Sequence, residues 1–143
     1  MNYVKHAIVA LLTTMSGCGL IDQIPGRTTV RLINNSDFDV EIVIFFDKEQ
    51  DIPESVLTEL GTEMRFTLAP AGVTSFSRDC DLLQAIIVEN ARLSIIGEVG
   101  PETSTDVLRD GSDFGCGDTL TLTFDHSAAI LDFSVSLSVD SRP

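Results

Sequence analysis

Aromatic side chains that carry a polar atom are almost missing from this sequence. It has no tryptophan, and its single tyrosine is Tyr3, close to the N-terminus. Nucleic-acid bases and sugars often stack on tryptophan and tyrosine rings. These two residues also anchor many protein interfaces. Sugar and base stacking are therefore disfavoured. Most of the eight phenylalanines fall at alternating strand positions, where we expect them in the core.

Basic residues are also scarce. Nine Lys and Arg stand against 22 Asp and Glu, which gives a formal net charge of −13 at pH 7. Such a surface repels phosphate backbones and anionic head groups, so nucleic-acid binding and electrostatic docking on membranes are disfavoured. The acidic residues are scattered and 43% of the residues are hydrophobic, so we expect one folded domain rather than an acidic disordered tail.

Residues for catalysis are few. Beyond His6 the only histidine is His126, which stands between Asp125 and Ser127. These are the residue types of a hydrolase triad, but neighbours along a strand point to opposite faces and cannot form the relay. The sequence also has no G-x-S-x-G elbow. We therefore expect no enzyme, and we interpret His126 as a solvent-exposed residue at a strand end.

The N-terminus lacks a hydrophobic run long enough to cross a bilayer. Residues 7–12 are apolar, but a spanning helix needs about 20 such residues. Lys5 and His6 precede this run, and small residues follow it. That arrangement is typical of a cleaved signal peptide, which we place at residues 1–17.

The residues Met15, Ser16, Gly17 and Cys18 resemble the lipobox of bacterial lipoproteins, in which small residues precede a cysteine. The resemblance covers about the first 19 residues, and Met15 departs from the usual leucine. It implies cleavage before Cys18 and covalent attachment of diacylglycerol and an acyl chain such as palmitate. More than one chain makes the anchor stable. Gly19, rather than aspartate, implies the outer membrane if the host has one. The alternative is an ordinary secretory signal with an unrelated cysteine.

Three cysteines are an odd number for an exported protein. If Cys18 carries lipid, Cys80 and Cys116 remain, and an oxidising compartment favours a disulfide between them. We expect this bridge to be structural. A zinc site is disfavoured, because these two cysteines and His126 are too few ligands.

A glycine-rich loop at residues 110–118 is a candidate calcium site, since calcium prefers several carboxylate oxygens. Its three carboxylates belong to Asp110, Asp113 and Asp118. Asp79 and Asp81 flank Cys80 and could approach this loop through the disulfide. The spacing is not that of an EF-hand, and the alternative is a hairpin loop held by the disulfide.

The rest of the chain has the alternating pattern of short strands. Residues 28–33, the turn formers at 34–37 and residues 39–46 predict a hairpin. The second of these strands is apolar on both faces, which favours a central position. Its two apolar sets are Val40, Ile42, Ile44 and Phe46 on one face and Val43 and Phe45 on the other.

One short helix is predicted, and we expect it to cover one sandwich edge. Asp51 can cap it, Pro53 suits its first turn, Glu54 completes a capping-box spacing and Gly61 ends it. Its apolar stripe consists of Val56, Leu57 and Leu60.

Further strands are indicated around residues 64–68, 73–77, 83–89, 91–96, 120–124 and 131–139. Asn90 either turns the third and fourth of these into a hairpin or bends one long strand, and residues 97–106 are expected to form a loop. Regular short strands predict an all-β fold: an antiparallel β-sandwich of immunoglobulin-like or related topology with one short helix. We place this domain at residues 28–143, after a lipidated tether at 18–27.

These observations predict a noncatalytic binding or accessory module of the cell envelope, anchored through lipid on Cys18. Its expected partners are the membrane, through the anchor, and an envelope protein. Two alternatives stay open. One is a structural or protective envelope component without a dedicated partner, and the other is a calcium-stabilised, adhesion-type domain.

Overall fold

A computed structural model describes residues 26–95, 98–127 and 132–141. The predicted signal peptide, Cys18, Leu131 and most of the tether lie outside these residues. The described part forms nine strands and one helix. Their bounds are β1 Arg27–Asn34, β2 Asp39–Asp47, α1 Glu54–Leu60, β3 Thr62–Leu68, β4 Val73–Asp79, β5 Ala85–Ile95, β6 Glu98–Thr103, β7 Leu108–Arg109, β8 Thr119–Asp125 and β9 Ser134–Asp140.

The strands make two sheets. Sheet 1 has the order β4-β1-β8-β9, and sheet 2 has the order β3-β2-β5-β6, with the short β7 also paired to β5. Every pairing is antiparallel except that of β1 with β8, which is parallel. The predicted fold class, an all-β sandwich with one short helix, is therefore confirmed. No helix in the described ranges is long and apolar enough to cross a membrane.

The main core lies between the sheets, and it is built from residues at every second strand position. In β8, for example, Leu120, Leu122 and Phe124 are fully buried in the core, while the threonines between them lie on the other face of the strand. The same alternation in β9 half-buries Val135 and Val139 against the core, but Leu137 stays 36% exposed because β9 is an edge strand.

A smaller cluster lies on the outer face of sheet 2, under α1. It consists of Phe45, Ile52, Leu57, Ala85 and Ile87. Phe45 belongs to β2, whose other face contributes to the main core. The prediction of a central second strand with apolar residues on both faces is thus confirmed. The helix, however, covers the outer face of the sheet and not a sandwich edge.

The helix begins differently from the prediction. Pro53 is its N-cap, without a side-chain capping hydrogen bond, so Asp51 does not cap it. Of the predicted stripe only Leu57 is buried, whereas Val56 is 36% and Leu60 75% exposed. A helix of seven residues makes only about two turns, so the face that it turns toward the sheet is short.

The predicted hairpin between the first two strands is wrong, because β1 and β2 belong to different sheets. The turn formers instead carry the chain across the sandwich. Asn34 is fully buried, and its amide donates to the carbonyl oxygens of Phe38 and Leu68, each at 2.8 Å. Its Oδ1 accepts from the backbone N–H of Ser36 at 2.8 Å and from the Ser36 hydroxyl at 2.7 Å.

Residues 85–95 form one strand, which settles the choice left open at Asn90. Asn90 has a φ of 50°, and the pairing of β5 with β2 shifts register opposite this region, between Glu41 and Val43. The loop expected at 97–106 is wrong in part, because β6 pairs with β5 there. Gly100 permits that pairing, since a Cβ atom at this position would lie 1.9 Å from the Leu93 carbonyl oxygen.

Candidate functional site

The end of the sandwich where β1 begins is closed by a disulfide. Cys80 follows β4 and Cys116 precedes β8, and the two are bonded as predicted. The backbone N–H of Cys80 also donates to the carbonyl oxygen of Gly26 at 2.8 Å. Because β4 and β8 flank β1 in sheet 1, the bridge joins the two neighbours of the first strand.

Two of the three carboxylates of the candidate calcium loop, those of Asp113 and Asp118, accept hydrogen bonds from nearby groups. Asp113 Oδ2 accepts from the Arg109 N–H at 2.8 Å, and Asp118 Oδ2 accepts from the Gly115 N–H at 2.6 Å and from the Ser141 hydroxyl at 3.3 Å. Neither Asp110, Asp113 and Asp118 nor any other set of three acidic, histidine or cysteine residues in the described ranges is arranged to hold a metal ion.

The flanking aspartates of Cys80 lie apart from that arrangement. Asp79 is exposed and pairs with Arg27 across a distance of 3.1 Å, and Asp81 is exposed. The disulfide therefore brings the loop and the end of β4 together without assembling their carboxylates into a ligand set. Calcium binding stays an untested alternative, which thermal unfolding with and without the ion would decide.

His126 lies at the opposite end of the sandwich, directly after β8. The expectation of a solvent-exposed histidine is wrong, because its side chain is only 12% exposed. The ring packs edge-on against Phe38 at 5.6 Å between centroids, and its Nε2 lies 3.5 Å from Asp37 Oδ2. Its Nδ1 is buried and has no hydrogen-bond partner among the described residues.

A shallow groove of about 300 Å³ crosses the outer face of sheet 2 beyond the helix. Arg65 and Arg92 line it, and each contacts a carboxylate, that of Glu63 and Glu102 respectively. These pairs are exposed, so each contributes little to stability. Each of the two arginines is thus paired with a carboxylate, and the described residues that line the groove include no other cation.

A second cleft opens where the edge strands β3 and β4 of the two sheets face each other. Phe66 and Phe76 stack across it at 5.7 Å between centroids. Beside them, the Arg78 guanidinium lies 5.4 Å from the Phe46 ring centroid and 5.5 Å from that of Phe76. Arg78 also donates to the Ser77 carbonyl oxygen at 2.9 Å and to the Met64 sulfur at 3.3 Å.

The mouth of this cleft, which we call the β3–β4 cleft, has a volume of about 410 Å³. Its walls are formed by Phe46, Asp47, Lys48, Thr62, Arg78 and Leu82. Lys48 and Leu82 are exposed, and Leu82 retains 47% of its accessible surface. Neither Lys48 nor Arg78 has a carboxylate within 4.0 Å in the described part of the chain.

The β3–β4 cleft was not predicted from the sequence, because the predicted strand ended at Ser77. One signal was available. Thr74, Phe76 and Arg78 occupy every second position, so extending the strand by two residues would have placed Arg78 on the inward face.

No protein-family model matches the chain, and no curated protein matches it. Among solved structures, the T6SS lipoprotein TssJ1 from Pseudomonas aeruginosa is similar over 84% of this chain and 100% of its own, at 13% identity and a TM-score of 0.47. A protein from Eubacterium rectale is similar over 78% of this chain and 88% of its own, at 18% identity and a TM-score of 0.46. Wild-type pneumolysin is similar over 81% of this chain and 24% of its own, at 13% identity and a TM-score of 0.48. Likenesses at this level carry no conclusion about function.

Proposed function

We propose that this chain is a lipid-anchored, noncatalytic binding or accessory module of the cell envelope. The observation that carries the proposal is the pairing of its cysteines. Cys80 and Cys116 are joined in a disulfide, which leaves Cys18 as the third cysteine, at the end of a signal-like segment. A disulfide of this kind persists in an oxidising compartment outside the cytoplasm.

The position of β1 supports a domain that stays close to its anchor. Residues 19–26 separate Cys18 from β1, and an extended chain spans at most about 3.3 to 3.6 Å per residue, so the tether reaches about 30 Å. A lipid on Cys18 would therefore keep the disulfide end of the sandwich near the membrane. The opposite end, with His126 and the Asn34 turn, would face away from it.

The charge of the domain supports attachment through lipid and not through its surface. Without the signal peptide, which contributes Lys5 alone, eight basic residues stand against 22 acidic ones, a net charge of −14. Anionic head groups repel such a domain. A diacylglycerol with an additional acyl chain supplies the stable anchor that the protein surface does not.

The test is fatty-acid labelling of Cys18 in a bacterial host. We expect an alkyne-tagged palmitate to label the wild-type chain, and mass spectrometry to find an N-terminal peptide that begins at acylated Cys18. The Cys18→Ser variant should lose the label and leave the membrane fraction. The double variant Cys80→Ser/Cys116→Ser is the matched control, because it removes two thiols and should keep the label. Labelling that persists in Cys18→Ser, or an unmodified wild-type N-terminus, overturns the proposal.

A further inference from the structure

The free edge of β4 has backbone groups that point away from its own sheet. Within the described residues, β4 is the edge strand of sheet 1 and pairs only with β1. Just outside the strand, the backbone N–H of Asn34 donates to the Gly72 carbonyl oxygen at 2.9 Å. The backbone N–H of Cys80 donates to the carbonyl oxygen of Gly26 at 2.8 Å. In an antiparallel ladder, bonded and non-bonded pairs alternate along the strand. The residues of β4 that bond to β1 are therefore Thr74, Phe76 and Arg78.

It follows that Val73, Ser75 and Ser77 direct their backbone N–H and C=O groups outward. Val73 is 52% exposed and Ser75 is exposed, so this edge is open to another chain. Such a row of polar groups is a template for a further strand. The guanidinium of Arg78 bonds to the carbonyl oxygen of Ser77, which places the positive charge directly at this edge.

That charge is poorly matched within the protein. Asp47 lines the same cleft, but its carboxylate accepts the Glu49 N–H at 2.9 Å and lies beyond 4.0 Å from the Arg78 guanidinium. Arg78 is half-buried against Phe46 and Phe76, so it is only partly hydrated. A partly desolvated guanidinium next to the exposed Lys48 is complementary to a carboxylate.

We propose that β4 binds an extended segment of a partner protein, which adds to sheet 1 as an edge strand and places an acidic side chain on Arg78 and Lys48. The inference rests on the proposed function, since it names the kind of partner that the binding module holds. Backbone hydrogen bonds to Ser75 and to the N–H of Ser77 would supply affinity, since the Ser77 carbonyl oxygen already accepts from Arg78 and Arg27. The inward side chains of the added strand would supply specificity.

The same geometry fixes a pattern for the partner. Side chains of an added strand alternate between faces, so every second one points toward the β3–β4 cleft. If one of these is acidic and lies opposite Arg78, the next one lies opposite Phe76. We therefore expect an acidic residue with an apolar residue two positions away. The apolar side chain would contact Phe76 on the inward face of the sandwich.

The test is isothermal titration calorimetry of the full chain, purified in detergent, with two synthetic peptides. The first is acetyl-TVTETVT-amide, whose symmetric sequence serves either strand direction, and the second carries glutamine instead of glutamate. We expect the glutamate peptide to bind about tenfold more tightly, as a charge-assisted hydrogen bond requires. Equal affinities, or no binding of either peptide in the millimolar range, overturn the inference.

Variants separate the two parts of the proposed site. Arg78→Gln should abolish the preference for glutamate, while the same change at the exposed Arg31 on the outer face of sheet 1 should leave it intact. Ser75→Pro removes an outward N–H without breaking the ladder to β1, so it should weaken both peptides, whereas Ser75→Ala should not. Equal binding to the two Ser75 variants overturns strand addition.

If Arg78→Gln fails to fold, Lys48→Gln takes its place, because Lys48 is exposed and outside the core. It should lower the affinity for the glutamate peptide severalfold and leave the glutamine peptide unchanged. No change for either peptide overturns the role of the cations. A negative titration leaves acylation of Cys18 untouched, and an unmodified Cys18 leaves the titration untouched, so the two failures are distinguishable.

Discussion

The side-chain amide of Asn34 donates a hydrogen bond of 2.8 Å to the carbonyl oxygen of Leu68, and so joins the end of β1 in sheet 1 to the end of β3 in sheet 2. Asn34 is fully buried, and it also holds Ser36 and Phe38 through hydrogen bonds. One side chain thus satisfies several backbone groups of the crossing segment. Removing it would leave buried polar groups without partners.

We therefore predict that Asn34→Ala lowers the free energy of unfolding by about 2 to 4 kcal/mol, because each orphaned buried group costs about 1 to 3 kcal/mol. Urea denaturation followed by far-ultraviolet circular dichroism measures the change. Asn35→Ala is the matched control: its side chain is exposed, and the effect should stay within about 0.5 kcal/mol. Similar losses for both variants would contradict this role of Asn34.

The disulfide gives a second prediction. Cys80 and Cys116 are 36 positions apart in sequence, and closing a loop of this size stabilises a fold by about 3 to 4 kcal/mol in the chain-entropy model. The double variant Cys80→Ser/Cys116→Ser should lose this amount in urea denaturation. Cys18→Ser should unfold like the wild type, because Cys18 lies outside the bridge. An unchanged midpoint in the double variant would refute a stabilising bridge.

The helix gives a third prediction, with a control on the same element. Leu57 is fully buried in the cluster under α1, whereas Leu60 is 75% exposed. Leu57→Ala should cost about 2 to 4 kcal/mol of unfolding free energy, since it removes a buried side chain and leaves a cavity. Leu60→Ala should change it by less than about 0.5 kcal/mol. Equal effects would mean that α1 does not pack through Leu57.

The candidate calcium loop at residues 110–118 gives a fourth prediction. Asp118 is only 8% exposed, and its carboxylate accepts a hydrogen bond from the Gly115 N–H at 2.6 Å. Asp118→Ala should therefore destabilise the domain by about 1 to 3 kcal/mol. We expect this loss to be the same with and without millimolar calcium. Thermal unfolding followed by circular dichroism measures both.

Stabilisation of the domain by calcium would contradict this expectation. If calcium raises the melting temperature of the wild type, and this rise is absent from Asp113→Asn/Asp118→Asn, the loop binds the ion and the calcium-stabilised alternative is supported. Magnesium at the same concentration controls for general screening of the acidic surface.

Local patterns in the sequence were enough to predict most of the strands. The alternation of Leu120, Leu122 and Phe124 with threonines marks β8, and the two apolar faces of residues 40–46 mark a central strand. Each of these patterns indicates which side chains become buried when the chain folds. Burial on one face or on two is a local property, so sequence periodicity carries it.

Pairing between distant segments was not predictable in the same way. The turn formers at Asn34 and Ser36 look like a hairpin, but buried contacts with Leu68 carry the chain to the other sheet. His126 was expected in solvent, yet Phe38, distant in sequence, covers it. The β3–β4 cleft likewise depends on contacts of Arg78 with Phe46 and Met64, which belong to the other sheet. These outcomes depend on contacts that no local pattern encodes.

The parallel pairing of β1 with β8 has a mechanical consequence. The first strand lies between β4 and β8, and the disulfide joins those two neighbours at the end where β1 begins. A force applied at residue 26 pulls β1 along its own length, so its ladders on both sides are sheared together and cannot open one bond at a time. The covalent bridge stops the flanking strands from spreading at the point of entry. If the proposed anchor on Cys18 holds the domain by its N-terminus, this arrangement withstands tension along the tether.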